Sequence, residues 1–225
     1  MTKIKICGLS RPCDVDYVNA ARPDYCGFII GFPASKRNVT MEQLRMLRAR
    51  LRPDIVPVGV FVDAPEAFVA ELYGEGLICV AQLHGHEDNG YITRLRALMD
   101  RVDEAKVRGN GQCQGRIRII QAFKVRTDTD ADECFSADAV RQAEMSAADM
   151  VLLDGGAGDG RTFDWSVLSN LRRPYILAGG LGPDNIEAAI QAVRPWAVDM
   201  SSGVETDGFK DEHKIMEVVN KIRCM

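Results

Sequence analysis

Eight short apolar runs, each followed by a stretch of helical spacing, limit how this 225-residue chain can fold. The runs are residues 3–6, 25–30, 57–62, 77–83, 116–122, 150–153, 175–178 and 197–200. Alternation of strand and helix calls for a parallel sheet, because only a long crossover returns the chain to the same end of the sheet. Eight such units favour a single closed parallel barrel, the (β/α)8 or TIM barrel, over an open doubly wound sheet. No G-x-G-x-x-G follows the first run, so a dinucleotide-binding fold has no support. Barrels of this kind take about 200–250 residues as one unit. No linker divides the chain, so residues 1–225 read as one α/β domain.

Boundary signals fill in the pattern. Ser10 or Asp14 is a candidate cap for the first helix, and Asp14 and Asp16 read as solvated helix residues. Thr40 with Gln43 has the spacing of a capping box ahead of MEQLRMLRARL. A helix is expected over about 87–101, then a polar, glycine-rich surface excursion at 102–116. Asp164 is placed to cap FDWSVLSNL, and the last helix is expected at 211–223.

A net charge of −4 argues against a general nucleic-acid or membrane-surface binder. No apolar run reaches the ~18–20 residues that cross a bilayer, and MTKIKICGLS lacks a secretory apolar core. The seven cysteines are scattered, without a CxxC pair. That speaks against a zinc site or a disulfide framework and fits a reducing cytoplasm.

Two glycine-bearing loops stand back to back near the C-terminal end. Tyr175–Ala178 stops at Gly179-Gly180, and Ala197–Met200 stops at Ser201-Ser202-Gly203. Loops of this kind leave backbone N–H groups free, and a following helix adds partial positive charge, so a phosphate binds without a lysine. A pair of them after strands 7 and 8 matches the phosphate grip of a (β/α)8 barrel.

Chemistry in such a barrel sits where strands end. Those positions supply Cys7, Lys36-Arg37, Gln82, His84, Asp154 and Asp199: a thiol, two cations, an amide, an imidazole and two carboxylates. Lys3, Lys5 and Cys7 alternate, so they share a face of strand 1, and the opposite face carries Ile4 and Ile6. A lysine inside a barrel needs a partner. Lys5 either lowers the thiol pKa or pairs with a carboxylate such as Asp199, and the sequence leaves both open. Asp154 suits a general acid, and Arg37 a bidentate carboxylate anchor.

KICGL at 5–9, GFPASKR at 31–37, VGVFV at 58–62, QLHG at 82–85, LLDGGAGDGRTFDW at 152–165, LAGGLGPDN at 177–185 and VDMSSGVETDGFKD at 198–211 span nearly the whole chain. Together they resemble the phosphoribosylanthranilate isomerase family. The resemblance implies a tryptophan-pathway isomerase that converts N-(5-phosphoribosyl)anthranilate to 1-(2-carboxyphenylamino)-1-deoxyribulose 5-phosphate. It implies no cofactor and no metal. It makes Cys7 the base, Asp154 the acid and Arg37 the anthranilate-carboxylate anchor, with phosphate at Gly179-Gly180 and Ser202-Gly203. Gln82, His84 and Asp199 are further substrate-facing candidates. The expected partner is this phosphosugar-anthranilate molecule, in a monomer or homodimer, with neither nucleic acid nor membrane. The chain departs from the family at Leu9, at Asn38 after SKR, and at Gln121, where a strand-5 lysine is common. A phosphosugar synthase on the same barrel, which would want that lysine, is the rival enzyme class, and a non-catalytic phosphate binder the rival outside enzymes.

Overall fold

The computed structural model describes residues 1–106, 117–125, 132–155 and 171–225. Eight parallel strands form the barrel: β1 (Lys3–Cys7), β2 (Tyr25–Ile30), β3 (Val56–Phe61), β4 (Val80–Leu83), β5 (Ile119–Lys124), β6 (Met150–Asp154), β7 (Tyr175–Ala178) and β8 (Ala197–Met200). Each pairs with its successor, and β1 pairs with both β2 and β8, which closes the ring. Helices α1 (Pro12–Ala21), α2 (Met41–Arg50), α3 (Glu66–Gly74), α4 (Asn89–Lys106), α5 (Asp132–Met145), α6 (Ile186–Val193) and α7 (Glu212–Arg223) lie between strands or after the last. The helix expected at FDWSVLSNL, with its cap Asp164, falls outside the described residues.

Strand parity sorts the side chains into two cores. Ile4, Ile6, Phe28, Val151, Leu153 and Val198 point outward and pack with the helices. Val58, Val80, Ile120, Leu152, Ile176 and Ala197 point inward and fill the barrel. Successive residues of a strand face opposite sides, so one short apolar run serves both cores.

Several boundaries move. α4 continues to Lys106, so the first residues of the expected 102–116 excursion are helical. Residues 107–116 lie outside the described part. β5 begins later than its apolar run suggests, and it ends later because its pairing with β6 carries through Lys124↔Asp154. The Thr40 cap forms as expected: Gln43 N donates to Thr40 Oγ1 at 3.2 Å, and Thr40 N donates to Gln43 Oε1 at 2.8 Å. Asp14 is not solvated but 1% exposed. It accepts hydrogen bonds from the backbone N–H of Ser10 and Arg11 and from the Arg11 guanidinium. Asp16 is exposed and pairs with Arg50.

The second glycine loop does not run straight into a helix. A 3-10 turn, Ser202–Val204, leads into a small antiparallel hairpin of Glu205–Thr206 and Phe209–Lys210. Asp207 and Gly208 form its turn with positive φ, 52° and 79°. Asp-Gly is the favoured pair for such a two-residue connection. Cys7, Cys13, Cys26 and Cys224 are free thiols, whereas Cys79 is disulfide-bonded, against the expectation from scattered cysteines. Among the described residues, no helix is long and apolar enough to cross a membrane.

Candidate active site

The inward positions at the C-terminal ends of the strands carry the polar groups. Register makes Lys5 and Asp199 neighbours on β1 and β8, and Lys5 Nζ donates to Asp199 Oδ2 at 2.8 Å. Both are buried. Lys5 also reaches the Cys7 thiol. Gly27 on β2 makes room for that arrangement. A β-carbon there would stand 2.7 Å from Cys7 Sγ and 3.2 Å from Lys5 Nζ. Both roles left open for Lys5 are therefore filled by one ammonium.

Electrostatics follow from burial and from this contact. Burial works against the Lys5 ammonium, but Asp199 and Cys7 outweigh it and raise its pKa. Burial pushes the Cys7 thiol up, and Lys5 is the main opposing pull toward thiolate. Burial also lifts Asp199 against the pull of Lys5, with Asp154 adding to the rise and His84 opposing it. Asp199 is thus within electrostatic reach of Cys7 on one side and of Asp154 and His84 on the other.

On the opposite wall, Gln82 Nε2 lies 3.2 Å from His84 Nδ1, and His84 Nε2 lies 3.5 Å from Asp154 Oδ2. Gln82 is buried, whereas His84 and Asp154 are partly open. Gln82 Oε1 and Asp199 Oδ1 are buried acceptors with no protein partner among the described residues. Buried acceptors in this state are drawn to donors from outside the protein, such as a ligand hydroxyl or water.

The two glycine loops lie against each other. A β-carbon on Gly203 would collide with the Leu181 carbonyl oxygen, and one on Gly182 would come 2.9 Å from the Gly203 oxygen. Gly179 (φ 96°) and Gly180 (φ 63°) hold conformations that side-chain-bearing residues rarely adopt. A β-carbon on Gly179 would stand 2.9 Å from Asp154 Oδ1. Asn185 pins the first loop, donating to the Gly180 oxygen and accepting from Gly182 N, both at 2.9 Å. Among the described residues, none accepts a hydrogen bond from the backbone N–H of Gly180, Ser202 or Gly203. The result is a backbone cradle beside Asp154.

Arg37 is already bidentate, but to the protein. Its Nε and NH2 donate to Glu205 Oε1 and Oε2, each at 2.6 Å. Asn38 does not buttress it, because the Asn38 side chain accepts from Phe32 N instead. Gln121 lies outside the site. It faces the helices, donating to the Glu87 oxygen and accepting from Ser146 Oγ. The cation at that strand end is Lys124, in register with Asp154. Glu205 and Lys210 were not singled out from the sequence, although both stand in the VDMSSGVETDGFKD motif. The Asp-Gly turn that brings them together was the available signal. Among the described residues, no group of three or more His, Cys, Asp or Glu is placed to hold a metal ion.

The family model described as N-(5'phosphoribosyl)anthranilate (PRA) isomerase matches residues 4–221. The N-(5'-phosphoribosyl)anthranilate isomerase of Acetivibrio thermocellus is 39% identical over 229 aligned positions, covering 99% of this chain and 96% of that one. The Thermotoga maritima structure of monomers generated from a dimeric phosphoribosylanthranilate isomerase superposes with a TM-score of 0.77 at 29% identity, covering all of both chains. A phosphoribosylanthranilate isomerase solved with reduced 1-(o-carboxyphenylamino)-1-deoxyribulose 5-phosphate gives a TM-score of 0.72 at 30% identity, again over all of both chains. On sequence and fold together, the chain belongs to the phosphoribosylanthranilate isomerase family.

Proposed function

We propose that the protein catalyses the Amadori rearrangement of N-(5-phosphoribosyl)anthranilate, with Cys7 as general base and Asp154 as general acid. The observation that carries this reading is the shared barrel mouth. A thiol at the end of β1 and a carboxyl at the end of β6 face one interior, linked through Asp199. Asp154 protonates the ring oxygen of the ribose, the C1–O bond breaks, and the anthranilate nitrogen supplies the electrons that make the Schiff base. The Cys7 thiolate takes the C2 proton, giving an enolamine that tautomerises to the ketone.

The surroundings suit those roles. A thiol raised by burial is a strong base once ionised, and Lys5 raises the fraction that is ionised. His84 and the bare Gly179 loop fix the position of Asp154. The Gly179-Gly180 and Ser202-Gly203 cradle takes the phosphate, and Arg37 takes the anthranilate carboxylate. Holding both charged ends brings the reacting carbon to the base at little further entropic cost. Gln82 Oε1 and Asp199 Oδ1 are acceptors suited to ribose hydroxyls. The reaction needs only proton transfer, and the protein acts in the cytoplasm as one domain.

The test is steady-state turnover with substrate made in place from anthranilate and phosphoribosyl pyrophosphate, following loss of its fluorescence. Cys7→Ala and Asp154→Asn each reduce kcat by about 10²–10⁴-fold, the usual contribution of a positioned acid or base. Affinity for the reduced product analogue stays close to that of the parent. Parental turnover by either variant would remove that residue from the mechanism.

A further inference from the structure

Glu205 has no part in the chemistry above, yet it is the centre of a charge cluster at the barrel mouth. Its side chain is 6% exposed and meets three cations: Arg37 through two 2.6 Å bonds, Lys210 at 2.6 Å and Lys36 at 3.9 Å. Register explains the closest neighbour, since Glu205 and Lys210 are cross-strand partners in the hairpin. Burial disfavours the Glu205 charge, but Arg37 and Lys210 together hold its pKa below the ordinary range. Glu205 is therefore a fixed anion at neutral pH.

The cluster is tied to the base as well. Lys210 Nζ donates to the Ser201 oxygen at 3.0 Å, and Ser201 Oγ donates to the Cys7 oxygen at 3.2 Å. The Arg37 stem lies against Gly8, where a β-carbon would stand 2.5 Å from Arg37 Cδ. Arg11 holds the hairpin from outside, donating to the Lys210 oxygen at 3.0 Å and covering the Phe209 ring at 4.6 Å. Arg37, Gly8 and Glu205 line one cavity of about 250 Å³.

Glu205 occupies only one edge of the Arg37 guanidinium, the Nε–NH2 fork. NH1 has no partner among the described residues. A free arginine would offer an anion either edge and several rotamers. Clamped arginine offers only the NH1–NH2 end, in one orientation and at a set distance from Cys7. We propose that Glu205 is the positioning residue for Arg37, clamping one edge of its guanidinium so that the other meets the aromatic carboxylate of the substrate. The proposal rests on Arg37 as the carboxylate anchor, and it adds that the affinity of that anchor depends on an internal carboxylate.

A double-mutant cycle tests it. Arg37→Ala, Glu205→Gln and the double variant are compared with the parent in kcat, in KM, and in calorimetric affinity for the reduced product analogue and for inorganic phosphate. Glu205→Gln is expected to raise KM and the analogue Kd about tenfold, with kcat changed less and phosphate affinity unchanged. In the Arg37→Ala background the same change adds little, because two residues acting as one unit are not additive. Losses that multiply in the double variant, a parental KM in Glu205→Gln, or an equal loss of phosphate affinity would each overturn the proposal. A parental KM in Arg37→Ala would instead overturn the carboxylate-anchor reading beneath it. If Glu205→Gln does not fold, Glu205→Asp goes through the same cycle. It keeps the charge but withdraws the carboxylate, so the same loss of analogue affinity is expected.

Discussion

At the scale of single residues, the site turns on one ammonium shared between a carboxylate and a thiol. Lys5 neutralises Asp199 and stabilises the Cys7 thiolate, so removing it alone would leave a buried carboxylate without a partner. Breaking a buried pair in that way costs about 3–5 kcal/mol, whereas replacing both partners together is far milder. The informative variant is therefore Lys5→Met with Asp199→Asn. Of the charges acting on Cys7, Lys5 pulls its pKa down more strongly than Asp199 pushes it up, and a hydrogen bond from Lys5 adds to the pull. Loss of the pair therefore raises the thiol pKa. In the proposed mechanism Cys7 must be ionised, so the ascending limb of the kcat/KM profile against pH is expected to move to higher pH. An unmoved limb, in a folded double variant, would mean that Lys5 does not tune the thiol. Parity within a five-residue strand is a local property, so the sequence was enough to place Lys5 and Cys7 together on the inner face. Asp199 as the partner was one option among several, because its contact with Lys5 spans 194 residues. Glu205 escaped notice for the same reason: its bonds to Arg37 cross 168 residues, and no local spacing marks them.

At the scale of elements, local chemistry decides where helices begin, and tertiary pairing decides where strands end. The α2 start was legible because Thr40 and Gln43 satisfy each other's backbone groups within four residues. Thr40→Ala removes that cap and is expected to lower stability by about 1 kcal/mol, read as a shift in the urea midpoint at constant slope. An unchanged midpoint would show that the cap bonds exchange evenly with water. Asp14 was misjudged because an aspartate early in a helix ordinarily faces solvent. Here Arg11 folds back over it, itself held by the Lys210 oxygen and the Phe209 ring from the far end of the chain. β5 shows the opposite limit. Its apolar run suggested 116–122, but the ladder with β6 runs on to Lys124. That ladder makes 120, 122 and 124 the inward positions and turns Gln121 away from the mouth. A lysine is thus present at this strand end after all, two positions beyond the alanine, and Gln121 has no direct bearing on the site.

At the scale of the whole molecule, a barrel must bring its first and last strands together, and the end opposite the active site carries the fastening. Asp24, just before β2, accepts from Lys3 Nζ at 2.7 Å, from Ile4 N at 3.0 Å and from Arg223 at 2.9 Å. One carboxylate thus joins β1, the entry to β2 and the last turn of α7. Burial opposes its charge, but the bonds from Lys3 and Ile4 N, with the nearby Arg223, hold its pKa below the ordinary carboxylate range. A carboxylate depressed in the folded state stabilises the fold above its unfolded pKa, about 3.9, and loses that contribution as pH falls through the lower folded value. Asp24→Asn keeps the shape and removes the charge. It is expected to destabilise by about 1–3 kcal/mol at neutral pH, the usual size for hydrogen bonds to a charged group. The gap between variant and parent then narrows below about pH 4 and closes once Asp24 is protonated in the folded state. Urea unfolding of both proteins across neutral and acid pH measures it. A gap that stayed constant into acid would mean that the fastening depends on the shape of the side chain at residue 24 and not on its charge.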